Sequence, residues 1–151
     1  MRSEEIDWIL SRGITQQYYR GTFPEDINFT FSAPYCVVTN CDSHNGAGTH
    51  WNAWFIDKTM IYFFDSYGRD IMNETLPDGY RKFIRKRHFV FNPRMVEGVF
   101  DKSCAEFCIY VLYYLCQGVA WGEIINSFDD DSSLNDVMVR EFVTKLKKSY
   151  K

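Results

Sequence analysis

The stretch HWNAWFIDKTMIYFFDSY, residues 50–67, decides the fold. Its halves, HWNAWFID at 50–57 and MIYFFDSY at 60–67, have high β-propensity and are separated by only Lys58 and Thr59, so they pair as a hairpin. With the turn centred on Lys58, facing residues carry numbers that sum to about 115 to 117, which sets His50 opposite positions 65 to 67. Directly opposed residues have Cα atoms about 4.5–5.5 Å apart. The His50 imidazole and the Asp65 carboxylate therefore meet on one face of the sheet. A slip of one residue would turn Asp65 to the other face, so the reading depends on this register.

Working outward, PYCVVTNC at 34–41 is rich in β-branched residues and runs into the turn-prone DSHNGAG, which predicts a strand followed by a loop. Further upstream, residues 4–11 predict a short helix, and YYRGTFPEDI reads as a loop punctuated by Gly21 and Pro24. Downstream, the basic stretch YRKFIRKRH, read as helical, leads to a strand, HFVFNP, at 88–93. SCAEFCIYVLYYLCQG at 103–118 is apolar nearly all round and closed by Gly118, which predicts a central, buried helix. A last helix is signalled by Asp131 or Ser132 as N-cap, by Leu134, Val137, Met138, Phe142 and Leu146 at helical spacing, and by lysines in its final turn. Together these elements describe an α+β fold, a mostly antiparallel sheet packed on a buried central helix, in one domain over 1–151.

Composition fits that picture. Apolar residues make up 46% of the chain and aromatic residues 18%, ample material for a packed core. A net charge of −3 supplies no global field for nucleic acid. Any such contact would be weak and confined to Arg81, Lys82, Arg85, Lys86 and Arg87, which read first as a solvated face. MRSEEIDWIL lacks the cationic start and apolar run of a signal peptide, and no stretch reaches the roughly 18 apolar residues of a membrane span. An intracellular, non-secreted protein with no membrane partner is expected. The five cysteines, Cys36, Cys41, Cys104, Cys108 and Cys116, form an odd count without paired CxxC units, so neither a disulfide framework nor a metal site is expected.

Three residues could carry chemistry. Cys104 starts the predicted buried helix, where unpaired backbone N–H groups and the positive dipole end favour a thiolate. Taken alone it would be a small core residue, the reading given to Cys108 and Cys116. His50 begins a strand after a Gly-rich loop, where its ring can act as a general base towards a thiol. Asp65 ends an otherwise apolar run, where a carboxylate is costly unless paired; without His50 it reads equally well as a turn cap. His44, in a polar loop, and His88, at the end of the basic run, read as solvent-facing.

The His-Trp pair in GTHWNAWFID, the carboxylate in YFFDSYG and the cysteine-led helix in SCAEFCIYVLYYL resemble, in order and spacing, the adenovirus protease (adenain) clan, which includes the ubiquitin-like-protein proteases. The likeness runs over roughly residues 18 to 118. Upstream, YYRGTFPEDI resembles a segment of adenain-like proteases of viruses and virus-like DNA transposons. The resemblance implies a papain-like mechanism with no cofactor, in which Cys104 attacks a peptide carbonyl, His50 relays the proton and Asp65 orients His50. It implies a preference for a small residue such as glycine at the cut, Trp51 as a substrate contact, and an activating peptide as a further partner class.

Two positions depart from the clan. Glu97, seven residues before Cys104, stands where members have a glutamine that donates to the oxyanion. An ionised glutamate cannot donate, and losing such a donor costs about 2.7–4 kcal/mol; a Glu97 protonated by burial could still donate. Ala105 stands where members have glycine, adding a methyl group expected to narrow the substrate pocket. Three readings follow: a cysteine endopeptidase that processes viral or virus-like polyproteins, a protease-fold binding module without activity, and a hydrolase of ubiquitin or ubiquitin-like conjugates.

Overall fold

The structure, a computed structural model, describes residues 1–24, 31–42, 49–71, 84–98 and 101–151. A first helix, α1 (Ser3–Leu10), and a single 3-10 turn (Gly13–Thr15) precede strand β1 (Tyr19–Pro24). There follow β2 (Tyr35–Asp42), β3 (Thr49–Ile56), β4 (Met60–Phe64) and β5 (His88–Phe91). The chain then forms α2 (Cys104–Cys116), α3 (Trp121–Asn126) and α4 (Ser132–Ser149). Of the basic stretch, residues 80–83 lie outside the described residues, while Ile84 and Arg85 carry helical backbone.

The five strands form one sheet in sequence order. Antiparallel pairing is confined to the central β2–β3–β4 meander, and both outer strands add in parallel. Residues 19–24, expected to be loop, pair with β2 over Tyr19↔Cys36 and Thr22↔Val38 to Pro24↔Asn40. Gly21 and Pro24 are accommodated because β1 is an edge strand whose ladder shifts register between Tyr19 and Thr22, the setting in which a sheet tolerates both residues.

The β3–β4 hairpin is as predicted: paired numbers sum to 117 at every step from Ala53↔Phe64 to Ile56↔Ile61. Strand alternation divides the side chains between two cores. Trp51, Ala53, Cys36 and Val38 pack with the helices, whereas Tyr35, Val37, Trp54, Ile56, Ile61 and Phe63 pack on the other face with Ile71 and Ile84.

Helix α2 lies against β3 and buries Cys104, Ala105, Phe107, Cys108, Ile109, Tyr110, Val111, Leu112 and Cys116. Burying Phe107, Ile109, Val111 and Leu112 contributes roughly 1.5–3 kcal/mol each, so the apolar character of the helix fixes its central place. Gly118, at φ +86°, ends it in the left-handed conformation that glycine adopts at least cost. The Cys108 thiol donates to the Trp51 carbonyl at 3.4 Å, so α2 and β3 start at the same end of the molecule.

Helix α4 is capped by Asp131, whose side chain accepts from the Ser133 N–H at 3.0 Å, a cap worth about 1 kcal/mol. Met138, Phe142 and Leu146 pack against the helix-side core as expected, but the buried face differs in part from the expected one. Leu134 and Val137 are exposed, and Asn135, Asp136, Val139 and Val143 are buried. The two polar residues face inward because they hold the 96–98 segment: Asn135 Nδ2 donates to the Val96 carbonyl at 3.1 Å, and the Asp136 carboxylate accepts from the Gly98 N–H at 3.2 Å. Among the described residues no helix is long and apolar enough to cross a membrane.

Candidate active site

The β3–β4 register, extended three steps past Phe64, sets position 67 opposite His50. Tyr67 is stacked on the His50 ring, centroids 4.6 Å apart and planes 16° from parallel. Asp65, two residues earlier, reaches the same ring from the diagonal, with His50 Nε2 2.7 Å from Asp65 Oδ1. The same carboxylate oxygen accepts the Tyr67 backbone N–H at 2.9 Å. Burial here requires pairing, and Asp65 is 1% exposed.

Its other partners come from three segments. Arg69 Nε lies 3.4 Å from Asp65 Oδ2. The Asn52 amide, oriented so that both of its ends are satisfied, donates to Oδ2 at 3.1 Å and accepts from Arg69 Nη2 at 3.1 Å. Asn92 holds the backbone on either side, accepting from the Asp65 N–H at 3.0 Å and donating to its carbonyl at 2.5 Å. None of Asn52, Tyr67, Arg69 and Asn92 was singled out by the sequence reading. Asn52 and Tyr67 share the face of Asp65 by strand periodicity, a signal that was there to use. Asn92 is 27 residues away from Asp65 and offers no comparable local signal.

Cys104 is the first residue of α2 and 8% exposed. Its sulfur neighbours the His50 ring and helps to raise the pKa of the imidazole. Because Nε2 faces Asp65, Nδ1 is the nitrogen left for sulfur. Burial by itself lowers the His50 pKa, but the hydrogen bond to Asp65 and its charge, together with the neighbouring Cys104, outweigh it and push the imidazole up to about 9. At neutral pH the ring is therefore an imidazolium. Cys108, on the same helix, is enclosed by apolar side chains that push its thiol well above the ordinary value, consistent with a packing residue.

Glu97 is fully buried. Both of its oxygens accept: Oε1 from the Ser66 hydroxyl at 2.5 Å and Oε2 from the Ser103 N–H at 2.9 Å. Burial pushes its carboxyl up to about 7 against the pull of those two hydrogen bonds. The structure thus gives Glu97 partners inside the protein rather than an aim into a cleft.

The expected substrate contacts are placed differently as well. Ala105 is 1% exposed and Trp51 6% exposed, both within the helix-side core, and the indole N–H of Trp51 donates to the Met1 carbonyl at 3.3 Å. Alternation along β3 points Trp51 under α2, and Ala105, next to Cys104 on α2, turns into the core. The exposed ring at the site is Tyr67, 37% accessible.

The remaining expectations concern residues outside this cluster. Arg85, Lys86 and His88 are exposed, Arg87 Nε donates to the Asp57 carbonyl at 2.9 Å, and His44, Arg81 and Lys82 lie outside the described residues. Cys36, Cys104, Cys108 and Cys116 are free thiols. Among the described residues no group of three or more His, Cys, Asp or Glu side chains is arranged to hold a metal ion.

Among solved structures the chain is similar to the crystal structure of the ASFV pS273R protease, with a TM-score of 0.50 and 16% identity over 70% of this chain. It shares that protease's fold. The matched region is 42% of the ASFV protein's length, so the chain corresponds to less than half of that molecule. No family model matches the chain, and no curated protein does. The mixed sheet-and-helix architecture is therefore a protease-like fold, with His50, Asp65 and Cys104 gathered where β3, the end of β4 and the start of α2 converge.

Proposed function

We propose that the protein is a cysteine endopeptidase acting on polypeptides through Cys104, His50 and Asp65. The observation that carries this reading is the 2.7 Å contact between His50 Nε2 and Asp65 Oδ1, with Cys104 as a further neighbour of the same ring. An imidazole oriented by a carboxylate and adjoining a thiol at a helix start is the arrangement that activates a sulfur nucleophile. The His50 ring rests as the imidazolium beside the Cys104 sulfur. Sulfur attacks the peptide carbonyl carbon, and His50 gives its Nδ1 proton to the departing amine, which leaves a thioester. Water then attacks the thioester, giving its hydroxyl to the acyl carbon and a proton to His50, which releases the acid and the Cys104 sulfur as thiolate and restores the imidazolium. Asp65 keeps Nε2 protonated and the ring in plane throughout.

The resemblance to adenain-like enzymes and the fold shared with a protease named for ASFV support a viral or virus-like polyprotein as substrate, cut beside a small residue such as glycine. A protease-fold binding module is the second reading, favoured by Glu97, which accepts hydrogen bonds where an oxyanion donor would be expected. Wild type, Cys104→Ala and His50→Ala are incubated with a thiol-directed peptide electrophile ending in glycine, and adducts are followed by intact mass between about pH 5 and 9. Rapid labelling of wild type, absent without Cys104 and slow without His50, is the expected result. Labelling no faster than that of an ordinary exposed thiol would favour the binding module. A panel of Gly-Gly conjugates separates polyprotein cleavage from removal of ubiquitin-like modifiers.

A further inference from the structure

Glu97 has no exposed atom, yet it touches both halves of the site. Ser66, whose hydroxyl it accepts, follows Asp65 directly. Ser103, whose N–H it accepts, precedes Cys104 directly, and that N–H is one of the donors a helix start leaves without an intrahelical partner. The Ser66 carbonyl returns the contact by accepting from the Val96 and Glu97 N–H groups at 2.8 and 3.1 Å. Asn135 and Asp136 of α4 grip the segment on either side of Glu97 through the Val96 carbonyl and the Gly98 N–H. At Gly68, φ +69°, an added Cβ would lie 2.5 Å from the Arg94 carbonyl carbon, so the turn after Asp65 sits directly against the strand of backbone leading to Glu97.

We propose that Glu97 is a positioning residue, a buried cross-tie that fixes the Asp65 turn relative to the start of the Cys104 helix, and that it does not serve the oxyanion. This rests on the Cys104–His50–Asp65 reading above. An oxyanion donor needs an N–H or O–H aimed at the reacting carbonyl, whereas both Glu97 oxygens are engaged in accepting bonds within the protein. A glutamine at this position keeps the tie: its amide oxygen accepts from the Ser103 N–H and its NH2 donates to the Ser66 hydroxyl. An alanine breaks both legs, and Ser66→Ala breaks one.

The test compares two reactions of Cys104 in wild type, Glu97→Gln, Glu97→Ala and Ser66→Ala. Chloroacetamide alkylates sulfur by displacing chloride, with no tetrahedral oxyanion. The p-nitrophenyl ester of N-acetylglycine acylates sulfur through one and releases p-nitrophenolate. The cross-tie predicts that Glu97→Gln leaves both rates within about threefold of wild type, and that Glu97→Ala slows both by about 10- to 100-fold, the loss a displaced catalytic group causes. Ser66→Ala, which removes one hydroxyl only, slows both by a smaller factor and carries the test if Glu97→Ala fails to fold by circular dichroism. A rise in acylation of about 100-fold or more in Glu97→Gln, with alkylation unchanged, would make position 97 an oxyanion site and overturn the proposal. So would unchanged rates in both Glu97→Ala and Ser66→Ala. If His50→Ala alkylates as fast as wild type, it is the catalytic reading that fails; if His50 matters and the Glu97 and Ser66 variants do not, only the cross-tie fails.

Discussion

Replacing Asp65 with asparagine keeps the volume of the side chain and an oxygen for the Tyr67 N–H, but removes the charge that holds His50 protonated. In the folded protein the imidazole titrates at about 9, against about 6.5 for a histidine in an unfolded chain. That difference corresponds to roughly 3 kcal/mol at 1.36 kcal/mol per unit, with little discount for solvent because the His50 side chain is 16% exposed. The pKa is raised on folding, so this stabilisation is fully present below about pH 6.5 and is lost as the pH climbs through about 9.

In Asp65→Asn the burial that disfavours the charged ring remains, and the negative charge that faces both the ring and Arg69 is gone. His50 should then titrate at or below its ordinary value. Urea unfolding at about pH 6 should show the variant less stable by roughly 2–4 kcal/mol, with most of that gap closed at about pH 10. An NMR titration of the His50 ring protons should place the variant's midpoint well under that of wild type. Cys104→Ala should lower it less, because Asp65 raises the His50 pKa more than Cys104 does. A wild-type midpoint near 6.5, or a stability gap that does not change with pH, would rule out an imidazolium held by Asp65.

Other positions carry their own expected outcomes. Asn92→Ala leaves the buried N–H and carbonyl of Asp65 without their side-chain partners and should cost about 2–4 kcal/mol in urea unfolding. Tyr67→Ala removes the ring stacked on His50 and should lower the His50 midpoint in the NMR titration, while Tyr67→Phe, which keeps the stack, should leave it within a few tenths of a unit. Because Ala105 is buried in the core, Ala105→Gly should cost about 1 kcal/mol of stability through helix propensity and leave the preference among peptide electrophiles differing next to glycine unchanged. Gly68→Ala meets both a left-handed φ and the Arg94 backbone and should lower the urea midpoint and the rate of Cys104 labelling together.

Much of the site was legible because its parts are local. A two-residue connection between two β-rich runs leaves few registers open, and the pairing at a sum of 117 brings Asp65 and Tyr67 to His50 by strand periodicity alone. The apolar run after Cys104 could be accommodated only as a buried helix, so the cysteine had to stand at its start. Local pattern along the chain was enough for the hairpin, the central helix and the places of His50, Asp65 and Cys104 on them.

Tertiary structure decided the rest. β1 exists because β2 offers it a parallel edge, a non-local pairing that overrides the local turn signal of Gly21 and Pro24. Trp51 and Ala105 lie in the core because β3 and α2 press those faces together, which spacing along the chain does not reveal. Glu97 became an acceptor because Ser66, 31 residues before it, and Ser103, six residues after it, fold against it. Hydrogen-bond partners that meet only when distant segments pack leave no period in the sequence, so the role of such a residue is set by the fold.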